Sequence, residues 1–192
     1  MKNNNILEKK YNTIKLNKKE TPTRRNNMKY FLILSTLITG LFAQFVNPET
    51  NLTYEQSTMQ AFYYLDDLTI DNVSAEGDGL AMPAASYGNC YSNLNTCDVI
   101  GAFDSAGICV GWAYGGILNG VMTVPVMGFD GTFPGLSMGD TPTLKVFDAS
   151  TGLTLDVTPG SALPGWGING QFDIYGTSTA CNSGTADSCD IC

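Results

Sequence analysis

The chain has 192 residues, a formal net charge of −8 and no histidine. Residues 1–43 hold nine of the ten basic residues, whereas residues 44–192 hold sixteen acidic residues and one base, Lys145, a net charge of −15. This acidic part excludes nucleic acid and anionic lipid as partners, since both are bound through Lys and Arg. The lack of histidine excludes catalytic triads and metal sites that depend on it.

Residues 28–43 have the pattern of a secretory signal peptide. A lysine precedes an apolar core over Tyr30–Ile38, and Ala43 is a small residue suited to cleavage. A membrane anchor is the alternative, but the uncharged stretch contains polar residues and is shorter than the ~20 residues that a spanning helix needs. Residues 1–27 are rich in Asn and Lys, which predicts a disordered extension or a stretch upstream of a true start at Met28. We therefore expect a secreted protein, extracellular or at the cell surface, with no membrane contact after cleavage.

The remaining sequence predicts an all-β domain, because short β-rich runs alternate with Gly, Asp, Asn and Pro and no long stretch has a helical apolar period. The candidate strands are Gln60–Leu65, Leu68–Val73, Val99–Phe103, Ile108–Tyr114, Val121–Met127, Thr143–Phe147, Leu153–Val157 and Gln171–Tyr175. Their number and spacing predict an antiparallel β-sandwich or jelly-roll-like domain, stabilised by disulfides. We place a linker over residues 44–56, the sandwich over 57–178 and a Cys-rich tail over 179–192.

All six cysteines follow the leader, which is typical of disulfides in an exported protein. They are Cys90, Cys97, Cys109, Cys181, Cys189 and Cys192. We expect a Cys90–Cys97 bridge that clips a long loop and contributes about 2–3 kcal/mol. We also expect Cys109, on a strand, to pair with a tail cysteine. A zinc or redox role for the final Cys-x-x-Cys, or a bond to another chain, is the alternative.

Aspartates at the predicted turns are candidate calcium ligands, because hard cations bind carboxylate oxygens. The candidates are Asp66, Asp67, Asp104, Asp130, Asp140 and Asp148. The alternative is that these residues cap turns, since Phe-Asp occurs four times where a strand ends. The sequence has no EF-hand run. We therefore expect that the protein requires no cofactor. A structural calcium ion is the one ion that the sequence suggests.

Aromatic residues in two loops are candidate sugar-binding residues. Trp166 lies in a loop of small residues, and Tyr87 and Tyr91 lie in the long loop. A ring exposed in a loop can contact the apolar face of a sugar while polar groups nearby bind its hydroxyls. For Trp166 the alternative is packing over the end of the core.

Four groups of phrases occur in order along the domain. They are Gln60-Ala-Phe-Tyr-Tyr64 with Leu68-Thr-Ile70, Val99-Ile-Gly-Ala-Phe103 with Gly107-Ile-Cys-Val-Gly111, Val124-Pro-Val-Met-Gly128 with Asp130-Gly131, and Gly139-Asp-Thr-Pro-Thr-Leu-Lys-Val-Phe-Asp-Ala-Ser150. Together they resemble a β-sandwich module found in repeats within secreted and cell-surface proteins of marine and Bacteroidetes-type bacteria, often exported by the type IX system. The resemblance covers about residues 57–160. It implies a fold and a location, and it implies no activity and no catalytic residues.

We expect a non-catalytic module for cell-surface adhesion or carbohydrate binding, with a glycan or a cell-surface protein as partner. The alternative is a structural subunit or spacer of an extracellular assembly or filament that associates with itself through sheet edges. A third hypothesis is a glycoside hydrolase that uses carboxylates alone, because such enzymes need only two acids roughly 5–10 Å apart. Sixteen acids produce such pairs by chance, so we expect no enzyme.

Overall fold

β-strands dominate residues 43–182, the part of the chain that the computed structural model describes. The strands are β1 (Gln44–Val46), β2 (Thr53–Glu55), β3 (Gln60–Ile70), β4 (Val73–Ser74), β5 (Val99–Phe103), β6 (Cys109–Tyr114), β7 (Met122–Met127), β8 (Thr143–Asp148), β9 (Leu153–Thr158) and β10 (Gln171–Ala180). Helix within these residues is limited to a 3-10 turn over Ala84–Tyr87 and the short helix α1 (Asn89–Ser92). No helix in this region is long and apolar enough to span a bilayer. The all-β class is confirmed.

Eight strands form one curled sheet in the order β4-β3-β10-β9-β8-β5-β6, and β7 also pairs with β3. Most neighbours run antiparallel, but β3 and β10 run parallel, with Gln171 opposite Phe62 at one end and Ala180 opposite Ile70 at the other. β10 then pairs with β9 through its last residues, which joins the two halves of the sheet. A sandwich of two antiparallel sheets is therefore not confirmed, because the strands form one continuous sheet with a parallel pair.

β3 is a single strand where the sequence predicts two. Asp66 and Asp67 do not break it, because Asp66 is exposed while Leu65 and Leu68 on either side of the pair are buried. β10 has a bulge opposite this point. Gly176 forms the bulge with a φ of 79° and donates its N–H to Oδ2 of Asp66 at 3.1 Å. The bulge lets β10 continue to Ala180 and pair with β3 along nearly its whole length.

The curl closes where β6 crosses β7. A Cβ atom at Gly111 would lie 1.8 Å from the carbonyl oxygen of Pro125, so the two backbones are in direct contact. Glycine in a strand often marks such a close approach. β6 also has a bulge at this point, which turns Val110 towards the main core while Trp112 and Tyr114 point to the opposite face.

Both faces of β5 and β6 are buried, which explains their nearly uninterrupted apolar sequences. One face packs inside the curl in the main core, with side chains from β3, β7, β8, β9 and β10. The other face packs in a second core that contains Val99, Trp112 and Tyr114. This second core is covered by the first hairpin and by the disulfide-clipped loop, which contribute Tyr54 and Cys90.

Residues 44–56 do not form the expected linker, because β1 and β2 pair as an antiparallel hairpin. Tyr54 of this hairpin is 3% exposed and contacts the ring of Phe45. The indole Nε1–H of Trp112 donates to the carbonyl oxygen of Phe45 at 3.2 Å. The sequence does not predict that this hairpin packs on the core, because two three-residue strands give almost no periodic signal.

We predict that Gly111→Ala destabilises the fold by about 3 kcal/mol or more, because the added methyl group must displace the backbone of β7. Gly167→Ala is the matched control, since its Cβ would meet only ordinary contacts at 3.7 Å and beyond. Urea unfolding measures both variants. Equal midpoints for Gly111→Ala and the wild type would show that β6 and β7 are not in contact.

Candidate functional site

The cysteines divide into bridged and free positions. The Cys90–Cys97 disulfide is confirmed, with a Cα–Cα distance of 5.7 Å. Cys109 carries a free thiol, so its expected pairing with the tail is wrong. Cys109 begins β6, which is separated from β10 in the sheet by β9, β8 and β5. Burial raises the pKa of the Cys109 thiol to about 11. Cys181 is disulfide-bonded, and Cys189 and Cys192 lie outside the described residues.

Two of the six candidate calcium ligands, Asp66 and Asp67, are neighbours on β3, and the other four lie at separate turns. Most of the six accept hydrogen bonds from backbone N–H groups close by in the chain. The acceptors are Asp67 for Leu68 N–H, Asp104 for Ala106 and Ile108 N–H, Asp130 for Thr132 and Phe133 N–H, Asp140 for Ser137 N–H, Asp148 for Ser150 and Thr151 N–H, and Asp66 for Gly176 N–H. Within residues 43–182, no three acidic or cysteine side chains form a group that could hold a metal ion. These contacts support the turn-capping interpretation, and calcium binding stays a prediction without a site.

Asp98 is a buried carboxylate that the sequence analysis missed. It is 6% exposed and lines a cavity of about 320 Å³ together with Asp148 and Glu76. Its Oδ2 accepts from Glu76 N–H at 2.7 Å and its Oδ1 accepts from Ala149 N–H at 2.9 Å. Burial raises the pKa of this carboxyl group, and the charges of Asp148 and Glu76 raise it further. Both oxygens are used to join the long loop to the β8–β9 turn, which is a structural role.

We predict that Asp98→Ala costs about 2 kcal/mol, because it leaves two part-buried N–H groups without an acceptor. Asp156→Ala is the control, since it removes only the exposed ion pair with Lys145 and should cost at most about 1 kcal/mol. Chemical denaturation of both variants tests the difference. A smaller loss for Asp98→Ala than for Asp156→Ala would rule out the structural role.

Trp166 is packed and cannot stack on a sugar. Its side chain belongs to the main core, is 3% exposed, and its Nε1–H donates to the carbonyl oxygen of Val126 at 3.0 Å. A Cβ at Gly128 would lie 2.1 Å from the indole ring, so the ring packs directly against glycine backbone. Trp166 as a sugar-binding residue is therefore wrong, and core packing is its role. Of the other two candidates, Tyr91 packs partly against the second core, and Tyr87 is 90% exposed.

We predict that Trp166→Ala lowers the free energy of unfolding by about 3–5 kcal/mol, the usual cost of removing a large core side chain. Tyr87→Ala should change it by less than about 0.5 kcal/mol, because that ring makes few contacts. Thermal and urea unfolding measure both. Full stability of Trp166→Ala would mean that the indole is not in the core.

A different pair of rings lies partly exposed on β3. Along β3, Ala61, Tyr63 and Leu65 are fully buried, so the alternation of a strand places Phe62 and Tyr64 on the outer face, where they are partly exposed. Their ring centroids are 6.5 Å apart and their planes are 18° from parallel. This spacing is close to the repeat of two residues in a strand.

β10, the neighbour of β3 in the sheet, places polar groups beside these rings. Gln171 lies opposite Phe62 and Asp173 lies opposite Tyr64, and both are exposed on β10. Tyr175, 65% exposed, follows on the same side of β10. We call the outward side chains of Phe62, Tyr64, Gln171, Asp173 and Tyr175 the aromatic face.

The bulge in β10 sets the position of Tyr175. Its N–H donates to Oγ of Ser161 at 3.0 Å, and the following Gly176 is held by Asp66. On the other side of β3, β7 places Thr123 opposite Tyr64, partly exposed. The aromatic face therefore lies on paired strands, with an amide, a carboxylate and a hydroxyl group beside its rings.

The sequence analysis missed the aromatic face. The signal was present, because a period of two separates Phe62 and Tyr64 from Ala61, Tyr63 and Leu65. Aromatic residues occupy both sides of this segment, so the pattern does not say which side is buried. The parallel pairing with β10, which brings Gln171 and Asp173 to the rings, has no local signal in the sequence.

Comparison of the chain with protein-family models, with curated proteins and with solved structures gave no match. The resemblance to bacterial cell-surface modules therefore stays a prediction.

Proposed function

We propose that the chain is a secreted, non-catalytic module that binds carbohydrate at a cell surface through the aromatic face. The partly exposed Phe62–Tyr64 pair on the outer face of β3 is the observation that carries this proposal. Exposed apolar surface rimmed by polar groups is a mark of binding sites in soluble proteins. The signal-peptide pattern and the Cys90–Cys97 bridge support export, since disulfides persist in oxidising compartments.

Carbohydrate fits the chemistry of this surface. Sugar rings have faces of C–H groups that pack on aromatic rings, and edges of hydroxyl groups that need hydrogen-bond partners. Phe62 and Tyr64 offer aromatic rings for the C–H faces. Gln171 and Asp173 on β10 offer hydrogen-bond partners for the hydroxyl groups. The side chains stand on paired strands rather than on loops, so little entropy is lost when a ligand binds.

The proposal assigns no catalytic residue. Glycoside hydrolysis needs a carboxylic acid with a raised pKa beside a second carboxylate at the sugar. Asp98 has a raised pKa, but both of its oxygens accept backbone N–H groups. It lines a cavity that contains no residue of the aromatic face.

We predict that Phe62→Ala with Tyr64→Ala weakens glycan binding by about a hundredfold, because each stacked ring contributes about 1.4 kcal/mol, or tenfold. Both side chains lie outside the core, so the double variant should keep its near-UV circular dichroism from the buried Trp112 and Trp166. A glycan array followed by titration calorimetry measures the binding.

Tyr87→Ala is the matched control, because Tyr87 is the most exposed of the originally expected sugar-binding residues. It should bind like the wild type. Loss of binding in Tyr87→Ala, with normal binding in the Phe62 and Tyr64 double variant, would move the site to the long loop and contradict the proposal.

A structural subunit of an extracellular assembly is the second candidate function. Met138 and Ile168 are 68% and 47% exposed, and the sulfur of Met138 lies close to Gly167, next to Ile168. Exposed apolar side chains in neighbouring loops favour contact with another protein. Concentration-dependent association in sedimentation velocity, absent in Met138→Ser, would support this function over glycan binding.

A further inference from the structure

We infer that the aromatic face binds internal segments of neutral polysaccharide chains and rejects acidic ones. This inference rests on the proposed function and names the class of ligand. Three features of the described residues support it: the repeat of the rings, the position of the face outside the described cavities and the charge around it.

The rings repeat along one direction. Phe62 and Tyr64 are two residues apart on β3, their planes are nearly parallel, and their centroids are 6.5 Å apart. A ligand that contacts both rings must extend along β3 and present an apolar group to each ring in turn. Successive units of a linear polysaccharide that runs along β3 have this property, whereas a single monosaccharide can cover only one ring.

The aromatic face lies outside the cavities described for this part of the chain. None of the three cavities described for residues 43–182 is lined by a residue of the aromatic face. Small ligands and chain ends are usually held in concave pockets that bury most of their surface. A sheet face outside these cavities, flanked by Thr123 on β7 and Gln171 on β10, suits the middle of a chain, which has hydroxyl groups on both of its edges.

The charge around the rings is negative. Asp173 lies opposite Tyr64, and Asp66 follows on the outer side of β3. Lys145 is the one basic residue of residues 43–182, and it pairs with Asp156 between β8 and β9. Uronate and sulfate groups would therefore meet carboxylates with no cation beside them, which repels acidic chains most strongly at low salt.

The test is a binding panel at low and at physiological salt with the full secreted chain. The probes are hydroxyethyl cellulose and galactomannan as neutral chains, polygalacturonate and alginate as acidic chains, and glucose and mannose as single sugars. We expect binding to at least one neutral chain, no binding to the acidic chains, and affinity for single sugars at least about a hundredfold weaker than for the bound chain.

A charge variant separates repulsion from other causes. Asp66→Asn with Asp173→Asn keeps the shape of both side chains, and it should raise the affinity for polygalacturonate by about tenfold or more at low salt. Asp156→Asn is the control, because Asp156 lies on β9, away from the aromatic face, and it should not change this affinity. Thermal melts confirm that each variant is folded.

The outcomes separate the inference from the proposed function. Equal or tighter binding of polygalacturonate or alginate by the wild type would overturn the inference and leave carbohydrate binding in place. Binding of single sugars as tight as of chains would also overturn it. Failure of the wild type to bind any chain or sugar of the panel would overturn both.

Discussion

The parallel pairing of β3 with β10 is the interaction on which the rest of the structure depends. It joins the half of the sheet that contains β7 to the half that contains β5 and β6, since β10 alone pairs with both β3 and β9 among the described strands. The same register brings Gln171 and Asp173 beside Phe62 and Tyr64. The pairing of β3 with β10 therefore has two effects. It joins the curled sheet around the main core, and it brings the residues of the aromatic face together on the outer side. The bulge at Gly176 keeps this ladder in register past Asp66.

Burial on both faces of β5 and β6 fixes this end of the sheet between two cores. The inner face packs in the main core, and the outer face is covered by the first hairpin and by the loop clipped at Cys90–Cys97. A domain with so many carboxylates and almost no cations cannot rely on ion pairs. Its acids instead cap turns and join loops, as Asp98 does, while apolar packing and the Cys90–Cys97 disulfide stabilise the domain. Screening in salt water reduces the remaining repulsion, with a Debye length of about 8 Å at physiological ionic strength.

The sequence predicts the elements well and their arrangement poorly, for physical reasons. Strands such as Val99–Phe103 are predicted from β propensity and from the turn residues on either side, and both signals are local. The short spacing that favours the Cys90–Cys97 bridge is local as well. The curl depends on the contact of Gly111 with β7 and on the β3–β10 pairing, and both join residues far apart in the chain. Trp166 shows the same limit, because the sequence leaves sugar contact and core packing open for it. The contacts with Gly128 and Val126 that place the ring in the core join residues far apart in the chain.

The central claim is that Phe62 and Tyr64 are a binding surface rather than chance exposure of two rings. NMR spectroscopy of the aromatic side chains during titration with a neutral oligosaccharide of four or more units tests it most directly. The account predicts saturable shifts of the Phe62 and Tyr64 ring signals, together with the side-chain amide of Gln171, while the signals of the exposed Tyr87 stay fixed. Shifts at Tyr87 without shifts at Phe62 and Tyr64, or no shift at either place, would contradict it.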